Sequence, residues 1–349
     1  MPTSPLHHVH EQAGARFTDF GGWTMPVQYD SVLAEHEAVR TDVGVFDVSH
    51  LGRFEVEGEG ATDLLVSQLC NDITRVEPGR AQYTMALNEA GGVEDDIIVW
   101  RLANERYWVM PNGTNFDGII ERFQTAAPGT VTIAENRSSS VLLAVQGPNA
   151  PDVVERTIGF MPGRFRIASG SFAGFAVTAA GTGYTGEKGA EIFIAAEGAQ
   201  ILWDALVAGG AKECALGARD TLRLEMGYPL WGHDLDAGTS PLEAGLGWVV
   251  SWDHEFVGKG SLESQKGNLV KKLVAFSTQG RAIPREGYQV TTDTGTGTVS
   301  SGNFSPTLQH GIAMAYVSPP PGADESITVE IRRNAVAGEI TSLPFIERS

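Results

Sequence analysis

Glycine limits what this chain can become more than any other residue. It fills 42 of 349 positions, about 12% against about 7% in an average protein. No long Gly/Ser or Gly/Pro tract collects them, so they are spread among turns. Many turns cut a chain into many short segments, and short segments between glycine turns are mostly strands. The distribution predicts a β-rich or α+β protein. At roughly 150 residues per domain, the length accommodates two or three domains.

The order of elements follows from periodicity and punctuation. Asp30 or Ser31 caps a helix running to about Arg40. Arg53 to Glu57 alternates polar and apolar residues, as a half-buried strand does. Leu64, Leu65 and Leu69 recur at helical spacing. Three strand-like runs follow, Gln82 to Leu87, Asp96 to Leu102 and Arg106 to Met110. Asn88-Glu89-Ala90-Gly91-Gly92 joins the first two as a hairpin or meander. A helix is expected from about Asn115 to Thr125, then mostly strands from 130 to 195, with a helix after Pro148. Helices near Ala199 to Val207 and Leu216 to Met226 precede a Gly/Asp-rich loop from Gly227 to Gly247. Near residue 265 the texture changes to short strands between Gly- and Pro-containing turns, which predicts a C-terminal all-β domain or barrel over 265–349 and a body over 1–264.

Charge and cysteine usage narrow the function classes. Lys and Arg number 25 against 43 Asp and Glu, a formal net charge of −18. Neutralising a polyanion needs a dense basic surface, so no nucleic-acid partner is expected, while a small anion needs only one or two arginines. The two cysteines, Cys70 and Cys214, have no metal or redox spacing, which suits a reducing compartment. MPTSPLHHVHEQAG has no signal-peptide pattern, and no apolar run approaches the ~18 residues of a membrane span. A cytoplasmic protein without a membrane partner is the expectation.

Several clusters carry possible chemistry. Gly181-Thr182-Gly183-Tyr184-Thr185-Gly186 has the spacing of a dinucleotide-binding turn. That motif needs a helix behind it, and Ala190 to Ile194 reads as a strand, so a hairpin and no nucleotide is expected. His7, His8 and His10 lack a carboxylate or cysteine frame and read as a solvated helix start. His233, Asp234 and Asp236 read as loop surface, so no metal is expected. Glu94-Asp95-Asp96 opens an apolar strand in which Asp96, Ile98 and Trp100 share a face. A carboxylate beside an aromatic wall suits a general base, although spacing alone favours a solvated turn. Glu191 can accept two parallel N–H bonds and Arg219 can grip an anion, yet each can equally serve a structural salt bridge.

Taken in order, the motifs resemble the glycine cleavage T-protein family of folate-binding aminomethyltransferases over nearly the whole chain. They are Phe20-Gly21-Gly22-Trp23-Thr24-Met25-Pro26-Val27-Gln28-Tyr29, Phe46-Asp47-Val48-Ser49-His50, the stretch Leu87 to Asp96, and Gly183-Tyr184-Thr185-Gly186-Glu187. Leu216-Gly217-Ala218-Arg219-Asp220, Pro241-Leu242-Glu243-Ala244-Gly245-Leu246 and Ser301-Gly302-Asn303-Phe304-Ser305-Pro306-Thr307-Leu308 complete the set. The resemblance implies two intertwined α+β domains and a C-terminal β-barrel around a folate site. It also implies transfer of a one-carbon unit from the aminomethyl group on the dihydrolipoyl arm of H-protein to tetrahydrofolate. The products would be 5,10-methylenetetrahydrofolate and ammonia.

By the same resemblance Asp96 orients the aniline-like folate nitrogen and relays its proton, and Glu191 bonds the aminopyrimidinone edge of the pterin. Arg219 contacts substrate, and Tyr83 and Tyr184 wall the slot. The chain departs from the family pattern at Gly181, commonly arginine, at Lys188, commonly aspartate, and at Glu94, usually apolar. Rival readings are a folate-dependent demethylase of the same superfamily and a folate-binding iron–sulfur maturation factor. The latter carries cysteine where this chain has Gly183.

Overall fold

The computed structural model describes residues 1–280, 282–322 and 325–348. It is an α+β protein whose chain forms two compact units. One comprises Met1–Gln68, Asp72–Thr84 and Asp96–Arg219; the other comprises Leu69–Asn71, Met85–Asp95 and Asp220–Ser349.

The first unit is built on a six-stranded sheet ordered Ile167–Phe172, Phe175–Ala180, Gly189–Ala195, Ser140–Gln146, Gly44–Asp47, Lys212–Cys214. Only the last pair is parallel. Every residue of Ser140–Gln146 is buried, which explains its continuous apolar run: both faces are covered. Val141, Leu143 and Val145 pack with Val153, Val154 and Ile158 of the helix Ala150–Ile158 and with Leu202, Trp203 and Leu206 of the helix Ala196–Ala208. Each such side chain stabilises the fold by roughly 1.5–3 kcal/mol through burial. The alternate residues take the other face. Register places Phe46, Ala144, Glu191 and Ala180 side by side there, so small residues flank the one carboxylate.

A five-stranded sheet, ordered Arg80–Leu87, Val93–Ala103, Arg106–Met110, Phe54–Glu57, Thr132–Glu135, carries the helices Ala61–Gln68 and Phe116–Ala126. Its first hairpin turns where expected, because the Asn88 side chain accepts from the backbone N–H of Ala90 at 3.0 Å and of Gly92 at 2.9 Å. The strand, however, begins at Val93, so Glu94, Asp95 and Asp96 lie within it and not in a solvated turn. Asparagine closes the turn before the acids are reached, and alternation then buries Asp95 completely.

The second unit contains a closed antiparallel barrel of Lys272–Thr278, His310–Ser318, Thr296–Ser305, Gln289–Thr292, Ile327–Ile331 and Asn334–Thr341, the last pairing with the first. Val274, Phe276, Val290, Val299, Ala315, Val317 and Val329 fill it. The register slips between Val299 and Ser301, and the two serines at this bulge reach a buried ion pair. Ser300 and Ser301 donate to Asp234 at 2.6 and 2.8 Å, and Arg223 meets Asp234 at 2.7 Å and Ser301 at 2.9 Å. Asn303 donates to Asp220 at 3.1 Å, and Ser305 and Thr307 donate to Glu225. The Ser301-to-Leu308 string is therefore a clasp on the helix Leu216–Glu225. Asp220 pairs with Arg223, not with its neighbour Arg219.

Candidate active site

Three adjacent strands of the five-stranded sheet converge on Asp96. The Tyr83 hydroxyl donates to its Oδ2 at 3.1 Å. Asn112, two residues past the strand Arg106–Met110, donates from Nδ2 to Oδ1 at 2.9 Å and to the Asp96 carbonyl at 3.2 Å. Both carboxylate oxygens are thus held by a side-chain donor. Trp100, on the same face of the strand, stacks on Trp108 at 5.7 Å, and Trp108 meets Phe193 at 4.4 Å. Phe193 shares a strand face with Glu191, so this aromatic contact sets the face bearing Glu191 against the face bearing Asp96.

Glu191 is buried and accepts from Thr182 Oγ1 at 2.5 Å. Thr182 belongs to the glycine turn, whose anchor is the fully buried Gln146. Its Nε2 donates to the Thr182 carbonyl at 3.1 Å, and its Oε1 accepts from Thr185 Oγ1 at 2.9 Å. A Cβ at residue 183 would lie 1.9 Å from Gln146 Oε1, so glycine is required there to admit the amide. The chain leaves this turn as the strand Gly189–Ala195, so the helix that a dinucleotide fingerprint needs does not follow. The glycines shape a hairpin.

Arg219 lies 4.7 Å over the Tyr184 ring. Burial pulls its basicity below the ordinary arginine range, with Glu191 acting against that shift. Its Nη1 is buried without a hydrogen-bond partner. His50 stands beside it. The imidazole is buried, its Nδ1 also has no partner, and the edge of Phe20 approaches at 5.2 Å. Burial first, and the Arg219 charge second, push its pKa down to about 3, so the ring is neutral at working pH. A Cβ at Gly113 would sit 2.3 Å from the His50 carbonyl, so the segment carrying Asn112 runs directly against His50.

All five residues singled out from sequence, Asp96, Tyr83, Glu191, Tyr184 and Arg219, lie in the first unit. They form two clusters: Asp96 with Tyr83, and Glu191 near Arg219 and Tyr184. His50 and Asn112 link the clusters and were missed. His50 closes the Phe46-to-His50 string, but a string cannot show that an imidazole is buried beside an arginine. The N-terminal histidines diverge. His10 is fully buried, bonded to Asp47 at 2.9 Å and Tyr29 at 2.8 Å, and so is no part of a solvated helix start. The apolar N-terminal segment around Leu6 and Val9 docks on the six-stranded core and carries it inward. His233 pairs with Glu286 at 2.9 Å, while Asp234 serves Arg223. No group of three or more His, Cys, Asp or Glu among the described residues is arranged to hold a metal ion.

Residues 6–254 match the GCVT N-terminal domain family, and residues 271–347 match the glycine cleavage T-protein C-terminal barrel domain family. The chain belongs to the glycine cleavage T-protein family. Similarity to members of this T-protein family extends over whole chains. An aminomethyltransferase of Halothermothrix orenii is 41% identical over 360 residues, 99% of this chain and 100% of its own. One from Mycobacterium avium is 42% identical over 354 residues, 98% of this chain and 96% of its own. The solved glycine cleavage system aminomethyltransferase T from Bartonella henselae superposes with a TM-score of 0.91 at 33% identity, covering 99% of this chain and 98% of that one. As a member of the T-protein family the protein is an aminomethyltransferase. No helix among its described residues is long and apolar enough to cross a membrane.

Proposed function

We propose that this aminomethyltransferase takes the one-carbon unit of the aminomethyl group on the lipoyl arm of H-protein and delivers it to tetrahydrofolate. The observation carrying this reading is the Asp96 carboxylate, gripped by Tyr83 and Asn112 on a strand face lined with tryptophan. Asp96 orients the aniline-like nitrogen of the folate and accepts its proton. Glu191, preset by Thr182, takes the aminopyrimidinone edge through two N–H bonds. Arg219 takes a polar group of the substrate with its unpaired Nη1, and Tyr83 and Tyr184 wall the ring.

The proton balance suits such a site. Starting from a sulfur-bound aminomethyl group carrying its ammonium proton, the carbon–sulfur and carbon–nitrogen bonds break and two new carbon–nitrogen bonds form. Tetrahydrofolate loses two N–H protons; one reaches the sulfur as thiol, and the other leaves with ammonia as ammonium. Holding both carriers in one place supplies much of the acceleration.

We further propose that residues 1–264 form the folate-binding body of two intertwined subdomains and 265–349 the barrel domain. The protein works in the cytoplasm, with no metal, nucleotide, nucleic-acid or membrane partner. Against the iron–sulfur maturation reading stands Gly183, where any Cβ collides with Gln146. The deciding experiment mixes protein, aminomethyl-loaded H-protein and tetrahydrofolate, omitting each in turn. Methylenetetrahydrofolate should form only in the complete mixture. Formation from methylated sulfonium or amine donors in place of H-protein would establish the demethylase instead.

A further inference from the structure

Among the buried polar atoms with no protein partner at the candidate site are Arg219 Nη1 and His50 Nδ1, on neighbouring groups, and Trp100 Nε1 near Asp96. A buried polar atom left unpaired costs about 1–3 kcal/mol, so unpaired atoms on two interacting groups of one site are places for a ligand to supply the partners. The site groups also follow a spatial order. Glu191 couples to Arg219, Arg219 couples to His50, and His50 backs the segment whose Asn112 grips Asp96.

The reduced pterin presents its polar atoms in an order of its own: the 2-amino group and N3–H, then the C4 carbonyl, then N5–H, then the side chain leading to N10. With the first pair on Glu191 and N10 at Asp96, the C4 carbonyl falls to Arg219 and N5–H to the next group in line.

We propose that His50 is a substrate-binding residue, its Nδ1 accepting a hydrogen bond from N5–H of tetrahydrofolate while Arg219 Nη1 donates to the adjacent carbonyl. This rests on the folate reading given above. Burial and the Arg219 charge keep the imidazole unprotonated, which leaves one ring nitrogen able to accept. N5 is one of the two nitrogens that the new methylene bridges, so His50 fixes the pterin at the atom that reacts.

The test is calorimetric affinity, measured without oxygen, of wild type and His50→Phe for tetrahydrofolate and for 5-formyltetrahydrofolate, which has no N5–H. Phenylalanine keeps the packing against Phe20 and removes both nitrogens. His50→Phe should weaken tetrahydrofolate about tenfold and change 5-formyltetrahydrofolate by less than about twofold. An unchanged affinity for tetrahydrofolate, or an equal loss on both ligands, overturns the assignment, the second outcome showing a merely structural role. Should His50→Phe fail to fold, His50→Ala carries the same comparison. Wild type binding neither ligand overturns the folate reading itself, which separates the two failures.

Discussion

Asp96 and Glu191 are both carboxylates on central strands, yet their surroundings differ, and so do the roles proposed for them. Asp96 keeps a polar cradle of one tyrosine hydroxyl and one amide, which holds its direction. Asp96→Asn preserves that shape and removes the proton acceptor. Turnover should drop by roughly 10²-fold or more with folate affinity unchanged, as steady-state rates and calorimetry would show. Turnover near wild type would remove Asp96 from the chemistry. Glu191→Ala should act oppositely. It deletes a charged acceptor of two hydrogen bonds, so folate binding should weaken by about 2 kcal/mol or more, and saturating folate should restore part of the rate. An unchanged dissociation constant would take Glu191 off the pterin. Asp96 and Glu191 were singled out in the sequence by a family resemblance, not by spacing, which favoured a solvated turn for Asp96 and left a structural salt bridge open for Glu191. His50 was not, because the role proposed for it rests on burial and on Arg219, which lies far away along the chain.

Two elements carry most of the positioning. The glycine turn sets Thr182 against Glu191 and Tyr184 beneath Arg219, and it is wrapped on Gln146. Gly183→Ala places a Cβ 1.9 Å from Gln146 Oε1, so the amide must leave a buried site where it makes several hydrogen bonds. A stability loss of about 1–3 kcal/mol is expected by urea unfolding, together with weaker folate binding. A loss of stability alone would show that the turn does not transmit its shape to Glu191. In the second unit, the Arg223–Asp234 pair is fully desolvated and tied to both bulge serines. Asp234→Ala leaves Arg223 its bonds to Asp220 but removes the buried acceptor shared by the guanidinium and both serines, and should cost about 1–3 kcal/mol, read as a lower denaturant midpoint; an unchanged midpoint would contradict that account. The hairpin, the amphipathic helices and the barrel strands were readable from periodicity. The clasp was not: its serines and threonines look like ordinary loop polarity until the helix Leu216–Glu225 is placed beside them.

At the scale of the whole molecule, stability against acid depends on buried ionisable groups. His50 has a folded-state pKa pushed down to about 3, below the roughly 6.5 of an unfolded histidine. Between those values the unfolded chain binds a proton that the folded one refuses, so this group withdraws stability as pH falls below about 6.5. From pH 7 to pH 5 the loss is on the order of 2 kcal/mol. Asp47 adds to it lower down: burial opposes its ionisation, but hydrogen bonds and the charge of His10 outweigh burial and hold its pKa below the usual range. Its contribution is present above the unfolded carboxylate pKa of about 3.9 and is lost as pH falls through the folded value. His50→Phe should therefore lose less stability than wild type between pH 7 and 5, and the two should fall together only once pH is below about 3. Parallel melting profiles across pH 7 to 5 would show that the imidazole protonates freely in the folded protein.

The sequence by itself determined what is local and repetitive. Glycine punctuation set the number of short strands, side-chain alternation set which residues share a face, and the ordered motifs set the family. Those are properties of neighbours along a chain, and the physics of turns and pleats reads them directly. Only the tertiary structure decided which neighbours in space act together. It assigned Gln146 to the glycine turn, His10 to Asp47, and Arg223 to the barrel bulge. It also left Arg219 and His50 with unpaired atoms in one site. Burial is a collective property of packed elements, and an atom's lack of a partner can be known only once every other atom has been placed.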